Sequence, residues 1–274
     1  MLKVFGNIRA AVSGDLVVRY SRSEETKSNW GDALNAYLIP KLSGRAIVHF
    51  RSVANIGFPR VYSAIGSVLD NSSTRNLHVW GSGFKAAGSR MRALPTQVHA
   101  VRGPRTREKL ESFGLKVPAV YGDPALLVDR FVPSSTSKRY RLGLIPHYVD
   151  QNAPAVLRLA SDEVLVIDVN AGIEEFVRQL TSCEAIASSS LHGLIAADCY
   201  RVPSVWLQIS KQVVGGDFKF SDYFAGVGIA KAALVLDEET SAKTLCARAE
   251  YQELRFDADR LLDACPFLSA EFPR

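Results

Sequence analysis

The segment SSSLHG (188–193) places three hydroxyl groups and an imidazole between an apolar strand pattern and a small-residue helix pattern. Backbone N–H groups and the helix dipole favour an anion at such a junction, and Ser188, Ser189 and Ser190 add hydroxyl donors. His192 falls within the first turn, where it can act as a general acid or base near neutral pH. The alternative is a serine N-cap beside a half-buried histidine that bonds only to backbone.

The segment AVRGPRT carries a second candidate group. Arg102 is the last residue of an apolar strand pattern, and arginine is the side chain best suited to bidentate binding of a carboxylate or phosphate. Gly103 permits a close approach of backbone to a ligand. Arg105 and Arg107 either add positive charge to this site or form a solvated helix face with ion pairs to glutamates of the same helix.

Three further segments carry polar groups where an element begins or ends. Asn29 or Asp32 is predicted to cap a helix in NWGDALNAYL. Gly83 lies in GSGF, directly after a predicted buried strand. His147 and Asp150 follow another strand in IPHYVD, where they either contact a sugar or form only a surface turn.

The elements that position these residues alternate between strand and helix. This alternation predicts parallel sheets with crossover helices, and a polar, turn-rich linker at 131–140 divides them into two blocks. We therefore predict an α/β fold with two Rossmann-like domains facing across a cleft, over 1–132 and 141–235. Residues 236–274 are predicted to form a C-terminal helix that packs back across the domains. Ligands bind at the carboxyl ends of strands in such sheets.

Composition narrows the classes of function. The 274 residues are 47% hydrophobic and 22% charged with a net charge of +5, which is ordinary for a globular protein and too weakly basic to indicate nucleic-acid binding. The four cysteines form no CxxC pair and are predicted to be buried free thiols of a reducing compartment. The absence of a signal peptide pattern and of a long apolar run predicts a cytoplasmic protein. No metal site is predicted.

Taken in order, the motifs resemble the polysaccharide pyruvyl transferase family, particularly its bacterial exopolysaccharide members. The resemblance rests on NWGDALNAYL, GSGF, VRGPRTREKLESFG, YGDPALL, IPHYVD and SSSLHGLIAADCYRVPSVWL. It spans residues 28–208 and implies a fold similar to that of two-domain GT-B glycosyltransferases. Family members transfer the enolpyruvyl unit of phosphoenolpyruvate onto a sugar hydroxyl, and a second hydroxyl closes a ketal.

The resemblance also implies roles for individual residues. Arg102 matches a family arginine that holds the acidic groups of the donor, and His192 matches a histidine proposed as general acid. The predicted donor-binding set is Arg102, Gly103, Arg105, Ser188, Ser189, Ser190 and His192. The acceptor-side candidates are Asn29, Asp32, Gly83 and His147. Several family members carry an arginine where this chain has Ser190. Either the serines and the helix N-terminus replace it, or Arg105, Lys211 or Lys219 does.

The expected partners follow from this chemistry. They are phosphoenolpyruvate as donor substrate, with no cofactor, and a sugar or lipid-linked oligosaccharide as acceptor. The apolar segment 218–230 either makes a peripheral contact with the inner face of the membrane or is an ordinary packed loop and helix. Two other functions stay open at this point: a GT-B glycosyltransferase that uses a nucleotide sugar, and a catalytically inactive polysaccharide-assembly protein.

Overall fold

The structure is a computed structural model that describes residues 14–21, 29–53, 59–135, 137–210 and 216–273. The chain forms two compact units, each with its own parallel sheet. The first comprises Met1–Pro124, Asp217–Val227 and Phe256–Arg274, and the second comprises Ala125–Gly216 and Gly228–Arg255. The prediction of two parallel-sheet α/β domains is therefore confirmed, while the predicted cleft between them stays a prediction. The units are discontinuous in sequence, unlike the contiguous ranges that we predicted.

The first unit is built on a sheet in the order β2-β1-β3-β4-β5. Its strands are β1 (Leu16–Val18), β2 (Ile47–His49), β3 (Val61–Ser63), β4 (Leu77–Trp80) and β5 (Gln97–Ala100). Its helices are α1 (Trp30–Ser43), α2 (Pro104–Ser112), α6 (Phe218–Gly226) and α8 (Ala258–Asp263). Leu77, Val79, Phe84 and Leu110 belong to its apolar core.

The second unit repeats this architecture in the order β10-β9-β8-β6-β7. Its strands are β6 (Tyr140–Ile145), β7 (Val164–Val166), β8 (Cys183–Ser188), β9 (Ser204–Gln208) and β10 (Leu234–Val235). Its helices are α3 (Pro154–Leu159), α4 (Ile173–Thr181), α5 (Leu191–Cys199) and α7 (Ala242–Arg248), with 3₁₀ turns at Pro124–Arg130 and Tyr148–Asp150. Leu142, Leu144, Ala187 and Val205 belong to its core.

Both sheets have the same topology when their strands are counted within each unit, namely 2-1-3-4-5. All the strand pairs are parallel. In this order the direction of winding reverses between the first and third strands, which are β1 and β3 in the first unit and β6 and β8 in the second. Open α/β sheets bind ligands outside the carboxyl ends of the strands at such a switch point.

Local signals place the helices that flank these sheets. Pro104 occupies the first turn of α2, and Gly114 lies beyond its end at a φ of +86°, a conformation that glycine adopts without strain. The predicted amphipathic helix α4 buries its apolar stripe of Ile173, Phe176 and Val177. These elements are therefore set by local sequence.

Two predicted elements are wrong. The segment KVPAVYGDPALLV (116–128) predicts a strand that stops at a Gly-Asp-Pro turn, but the described residues form one isolated bridge, from Tyr121 to Val101, before a 3₁₀ turn begins at Pro124. Proline cannot donate to a strand ladder, and both Pro118 and Pro124 interrupt this segment. The predicted C-terminal helix is instead the two short helices α7 and α8. Each has its own side-chain cap, Ser241 for α7 and Asp257 for α8.

The tail is divided because its two helices pack in different units. Between them Glu250 pairs with Ser204 of β9, and the backbone is extended there. The last segment then returns to the first unit, where the carbonyl of Leu261 accepts a 2.8 Å hydrogen bond from Trp80 Nε1. A helical pattern in the sequence does not show that the tail packs first in the second unit and then in the first.

The four cysteines are unpaired, as predicted. Cys183 is buried, while the other three are half-buried rather than buried. Burial raises the pKa of the Cys183 and Cys265 thiols to about 12. Within the described part of the chain, no helix combines the length and the apolar character needed to cross a bilayer.

Candidate active site

In the second unit, the predicted residues meet at the switch point between β6 and β8. His147 follows β6 and Ser189 follows β8, and the backbone N–H of His147 donates a 2.8 Å hydrogen bond to Ser189 Oγ. The Ser189 N–H donates in turn to the carbonyl of Ile145 at 3.1 Å. The two strand ends are thus tied together where the topology predicts a ligand crevice.

Ser188 holds the turn between β8 and α5 in shape. Its hydroxyl lies 3.0 Å from the Ile145 carbonyl oxygen and accepts a 3.0 Å hydrogen bond from the Ser190 N–H. Ser188 and Ser189 are 0% and 1% exposed. A side chain at Gly193 would place a Cβ 2.4 Å from Ser188 Oγ, so a glycine is needed after His192. These two hydroxyls therefore support the turn from within.

Ser190 and His192 are the members of this motif that keep exposed surface. Ser190 is the N-cap residue of α5, yet its side chain makes no capping hydrogen bond to the first turn. His192 is the second residue of the helix and is half-buried. A helix N-terminus without a side-chain cap is a favourable place for an anion. The arrangement offers such an anion an imidazole as its neighbour.

The sequence reasoning missed a hydrogen bond that spans this edge. Asp150 lies in the 3₁₀ turn after β6, is 2% exposed, and accepts a 2.5 Å hydrogen bond from Ser210 Oγ after β9. Because β8 lies between β6 and β9, this bond links the two strands that flank the serine motif. The signal was present in IPHYVD, where Asp150 was considered as a possible sugar contact, but nothing in the pattern identified Ser210 as its partner.

In the first unit, Arg102 is fully buried and bonded within the unit. Its Nε donates to Asp222 Oδ2 at 3.0 Å, its Nη1 to Ser67 Oγ at 2.7 Å, and its Nη2 to the carbonyl of Phe84 at 2.7 Å. Both side chains of the Arg102–Asp222 pair have no exposed area. The anion that Arg102 meets in this structure is therefore a carboxylate of the chain itself. Direct contact with a donor stays a prediction, and it would require this pair to open.

Asp222 also supplies the cap that α2 lacks. The N-cap residue Gly103 has no side chain, and Asp222 accepts hydrogen bonds from the Thr106 backbone N–H at 2.8 Å and from Thr106 Oγ1 at 2.7 Å. One carboxylate thus neutralises Arg102 and satisfies the start of α2. The sequence predicted that Arg102 binds an anionic ligand, which stays a prediction, and it did not identify Asp222 as the internal partner of Arg102.

Glycines allow this cluster to close. A Cβ at Gly103 would lie 1.8 Å from the Asp222 carbonyl oxygen, and one at Gly226 would lie 2.3 Å from the Arg102 carbonyl oxygen. A Cβ at Gly83, an acceptor-side candidate, would lie 2.6 Å from the Arg102 guanidinium carbon. Gly83 and Gly103 therefore serve close packing in this structure, and contact of either with a substrate stays a prediction.

Asn29 and Asp32 lie at the start of α1, which follows β1. Asn29 is the N-cap residue, as predicted: its Oδ1 accepts the Asp32 N–H at 3.2 Å, and its Nδ2 donates to Asp32 Oδ2 at 2.5 Å. Asn35 bonds in both directions to the backbone of Ile65, which follows β3. The predicted acceptor-side pair Asn29 and Asp32 therefore lies beside the β1/β3 switch point of the first unit.

The candidate replacements for the family arginine differ in placement. Arg105 is exposed on α2, and Arg107 forms an ion pair with Glu111 at 3.0 Å, as expected of a solvated helix face. Lys211 lies outside the described residues. Lys219 of α6 is only 8% exposed and lies close enough to Arg102 to interact with its charge. Among the residues that the structure describes, no group of three or more His, Cys, Asp or Glu side chains could hold a metal ion.

Comparisons with known proteins agree with this geometry. The family model for polysaccharide pyruvyl transferase matches residues 68–210, more than half of the chain. Uncharacterized protein L143 of Acanthamoeba polyphaga mimivirus is 30% identical over 208 residues, which cover 73% of this chain and 71% of that protein. Succinoglycan biosynthesis protein ExoV of Rhizobium meliloti (strain 1021) is 27% identical over 246 residues, covering 86% and 73% of the two chains.

The family match includes both groups of residues described above, since Arg102 and His192 fall inside 68–210. The motifs that suggested the family in the sequence lie within this match, except NWGDALNAYL at 29–38. The chain belongs to the polysaccharide pyruvyl transferase family, and it is a transferase.

Proposed function

We propose that this protein transfers the pyruvyl group of phosphoenolpyruvate onto hydroxyl groups of a sugar, in an exopolysaccharide or its lipid-linked precursor, to form a ketal. Membership of the family supports the pyruvyl transfer. The similarity to a protein named for succinoglycan biosynthesis supports a polysaccharide acceptor. The observation that carries the proposal is the placement of His192 at the uncapped start of α5, beside the β6/β8 switch point.

The donor suits a helix N-terminus because it carries a phosphate and a carboxylate. Backbone N–H groups of α5 would bind one of these anions, and Ser190 lies at the same turn. His192, as imidazolium, would protonate the methylene carbon, which turns the enol phosphate into an electrophile at the adjacent carbon. The serine network behind the turn would hold the imidazole in position.

The remaining steps balance without another reactant. A sugar hydroxyl adds to the electrophilic carbon, the bond from that carbon to the phosphate oxygen breaks, and a second hydroxyl closes the ketal. Of the two hydroxyl protons, one restores the proton that His192 gave and one leaves with inorganic phosphate. Asp32 or His147, the titratable acceptor-side candidates, would be the base that accepts a hydroxyl proton first. Binding to a membrane surface through 218–230 stays a prediction.

The first test separates donor binding from turnover. Phosphoenolpyruvate at about 100 times its Kd should stabilise the wild-type protein by about 2.7 kcal/mol in thermal unfolding. His192→Ala should keep most of this stabilisation, because His192 acts on the methylene carbon, yet lose about 10²- to 10⁴-fold in turnover. Turnover is followed as phosphate release and as acid-labile transfer of radiolabelled pyruvate to acid-treated exopolysaccharides.

A matched control is His99→Ala, which changes a half-buried histidine of the first unit. It should leave the turnover of folded protein unchanged. Stabilisation by uridine diphosphate and none by phosphoenolpyruvate would contradict the proposal and indicate a nucleotide-sugar glycosyltransferase. Full turnover in His192→Ala would remove the general-acid role from this residue.

A further inference from the structure

Lys219, in the first turn of α6, is a buried cation that the mechanism above does not use. Its side chain is 8% exposed, and its ammonium lies 5.2 Å from the centroid of the Phe220 ring. Among the described residues, no hydrogen bond or ion pair joins Lys219 to an acceptor or a carboxylate. A buried ammonium normally has such a partner because its desolvation is costly.

The charges that act on Lys219 are mostly positive. Burial, together with the positive charges of Arg102 and Lys85, lowers the pKa of Lys219 to about 8, against an opposing effect of Asp32. Asp222, on the same helix, is fully engaged with Arg102 and Thr106. Asp217, the N-cap residue of α6, is exposed and makes no side-chain hydrogen bond to the first turn.

Lys219 lies near the carboxyl edge of the first sheet, where open α/β sheets bind ligands. The charges that act on it belong to residues at or after the carboxyl ends of strands: Asp32 at the start of α1, Lys85 after β4 and Arg102 after β5. This edge contains the β1/β3 switch point. Lys219 also belongs to the first turn of a nine-residue helix whose N-terminal N–H groups have no side-chain cap from Asp217.

We propose that Lys219 binds an oxyanion, a phosphate or a carboxylate, at the carboxyl edge of the first unit. This inference rests on the proposed function for the choice of phosphoenolpyruvate as the probe. Arg102 lies at the same edge, but its charge is neutralised by Asp222. An oxyanion beside Lys219 would favour its charged form, so binding and protonation would be linked.

This linkage provides the test. Phosphoenolpyruvate binding to the wild-type protein is measured by calorimetry near pH 8 in buffers of different ionisation enthalpy. Because Lys219 has a pKa of about 8, binding should take up roughly half a proton. Lys219→Arg should bind with no such uptake, since a guanidinium does not deprotonate. Lys219→Met should bind about tenfold to a hundredfold more weakly, because a charged hydrogen bond is lost.

The thermal stability of the ligand-free variant distinguishes a ligand-binding role of Lys219 from a structural one. Removing an unpaired buried ammonium should leave the ligand-free Lys219→Met protein at least as resistant to heat as the wild type. The control Lys243→Met removes an exposed lysine of α7 and should change neither binding nor stability. Inorganic phosphate and pyruvate, tested alone, show which oxyanion Lys219 holds, because only that one should lose affinity in Lys219→Met.

The outcomes distinguish this inference from the proposed function. Equal affinity and equal proton uptake for phosphoenolpyruvate in wild type and Lys219→Met would overturn the role of Lys219 and leave the donor assignment standing. Lys219-dependent binding of uridine diphosphate but not of phosphoenolpyruvate would keep the anion site and overturn the donor. A wild-type protein that binds none of these anions would overturn the inference.

Discussion

The first unit places after its fifth strand a buried arginine whose partner, Asp222, lies 120 residues away in sequence. The second unit places after its third strand a serine turn whose partners lie in the same motif or on the adjacent strand β6. Both edges belong to sheets of the same strand order. The comparison shows that one topology can leave a helix start partly exposed in one unit and fully enclose an anion in the other.

Burial explains the different consequences of these two arrangements. A complete ion pair without solvent access contributes little net stability, because desolvation offsets its attraction, but removal of one partner leaves an uncompensated charge in a medium of low dielectric constant. The serine turn contains no formal charge, and its hydrogen bonds leave Ser190 and His192 at the surface. We therefore expect substitutions at the first edge to act mainly on stability, and those around His192 to act mainly on turnover.

The largest effect should follow from breaking the enclosed pair. Asp222→Ala leaves Arg102 charged and buried and removes the cap of α2, so the first unit should lose about 3–5 kcal/mol of unfolding free energy. Urea unfolding in a Trp206→Phe background measures this unit, because the remaining tryptophans, Trp30 and Trp80, both belong to it.

The control for this prediction lies on the same helix. Asp217→Ala removes an exposed carboxylate that makes no capping bond, and should change stability by less than about 0.5 kcal/mol. The double variant Arg102→Met, Asp222→Asn should lose less than the sum of its two single variants, since it leaves no unpaired charge. Equal losses for Asp222→Ala and Asp217→Ala would contradict the structural role of the pair.

A smaller effect is expected at the second edge. Ser189→Ala removes the acceptor of the His147 N–H, which should destabilise the link between the ends of β6 and β8 by about 1–3 kcal/mol. Hydrogen exchange at the His147 amide should therefore accelerate about tenfold or more. Ser190→Ala, next in sequence, removes a hydroxyl that makes no capping bond. If exchange accelerates equally in both variants, the bond to Ser189 Oγ does not hold this edge.

The mildest test concerns the response of the first unit to acid. His78 of β4 lies 3.2 Å from His99 of β5, nitrogen to nitrogen. Burial, with the charges of Arg60 and His99, lowers the pKa of His78 from 6.5 to about 4. Between these values the unfolded chain binds a proton that the folded unit does not, so stability should fall as the pH falls from 6.5 toward 4.

The substitution His78→Gln should remove part of this dependence. The midpoints of urea unfolding are measured at about pH 7, 5.5 and 4.5, and they should differ less from one another in the variant than in the wild type. At pH values above 6.5, His78 should not change the dependence of stability on pH. A wild-type midpoint that does not fall in this range would exclude the histidine pair as a source of acid sensitivity in the first unit.

Much of the fold was predictable because it depends on local patterns. Alternating strand and helix segments gave two parallel-sheet units, the apolar stripe of α4 gave its buried face, and Pro104 and Gly114 gave the limits of α2. The same patterns failed where two prolines interrupted an apolar run, and in the tail, where a continuous helical pattern belongs to two units.

The candidate site likewise contains residues that the sequence could place together and others that it could not. Residues that follow strands of one parallel sheet must lie at one edge, so His147 and the serine motif could be placed together from sequence. Asp150 and Ser210 could not be paired, because nothing local relates the ends of β6 and β9. The periodicity of a segment shows which face is buried, but not which distant segment covers it.

The sequence by itself determined the two-sheet α/β architecture, the start of α5 and the place of His192 in its first turn, since hydrophobic periodicity, turn residues and strand ends act within a few residues of each other. Only the tertiary structure decided that Arg102 is neutralised by Asp222, that Gly103 and Gly226 permit this contact, and that Lys219 is buried among charges with no bonded acceptor in the part of the chain that the structure describes. These features depend on α6 returning to the first unit from the far end of the chain, and burial and electrostatic interaction are set by such long-range packing.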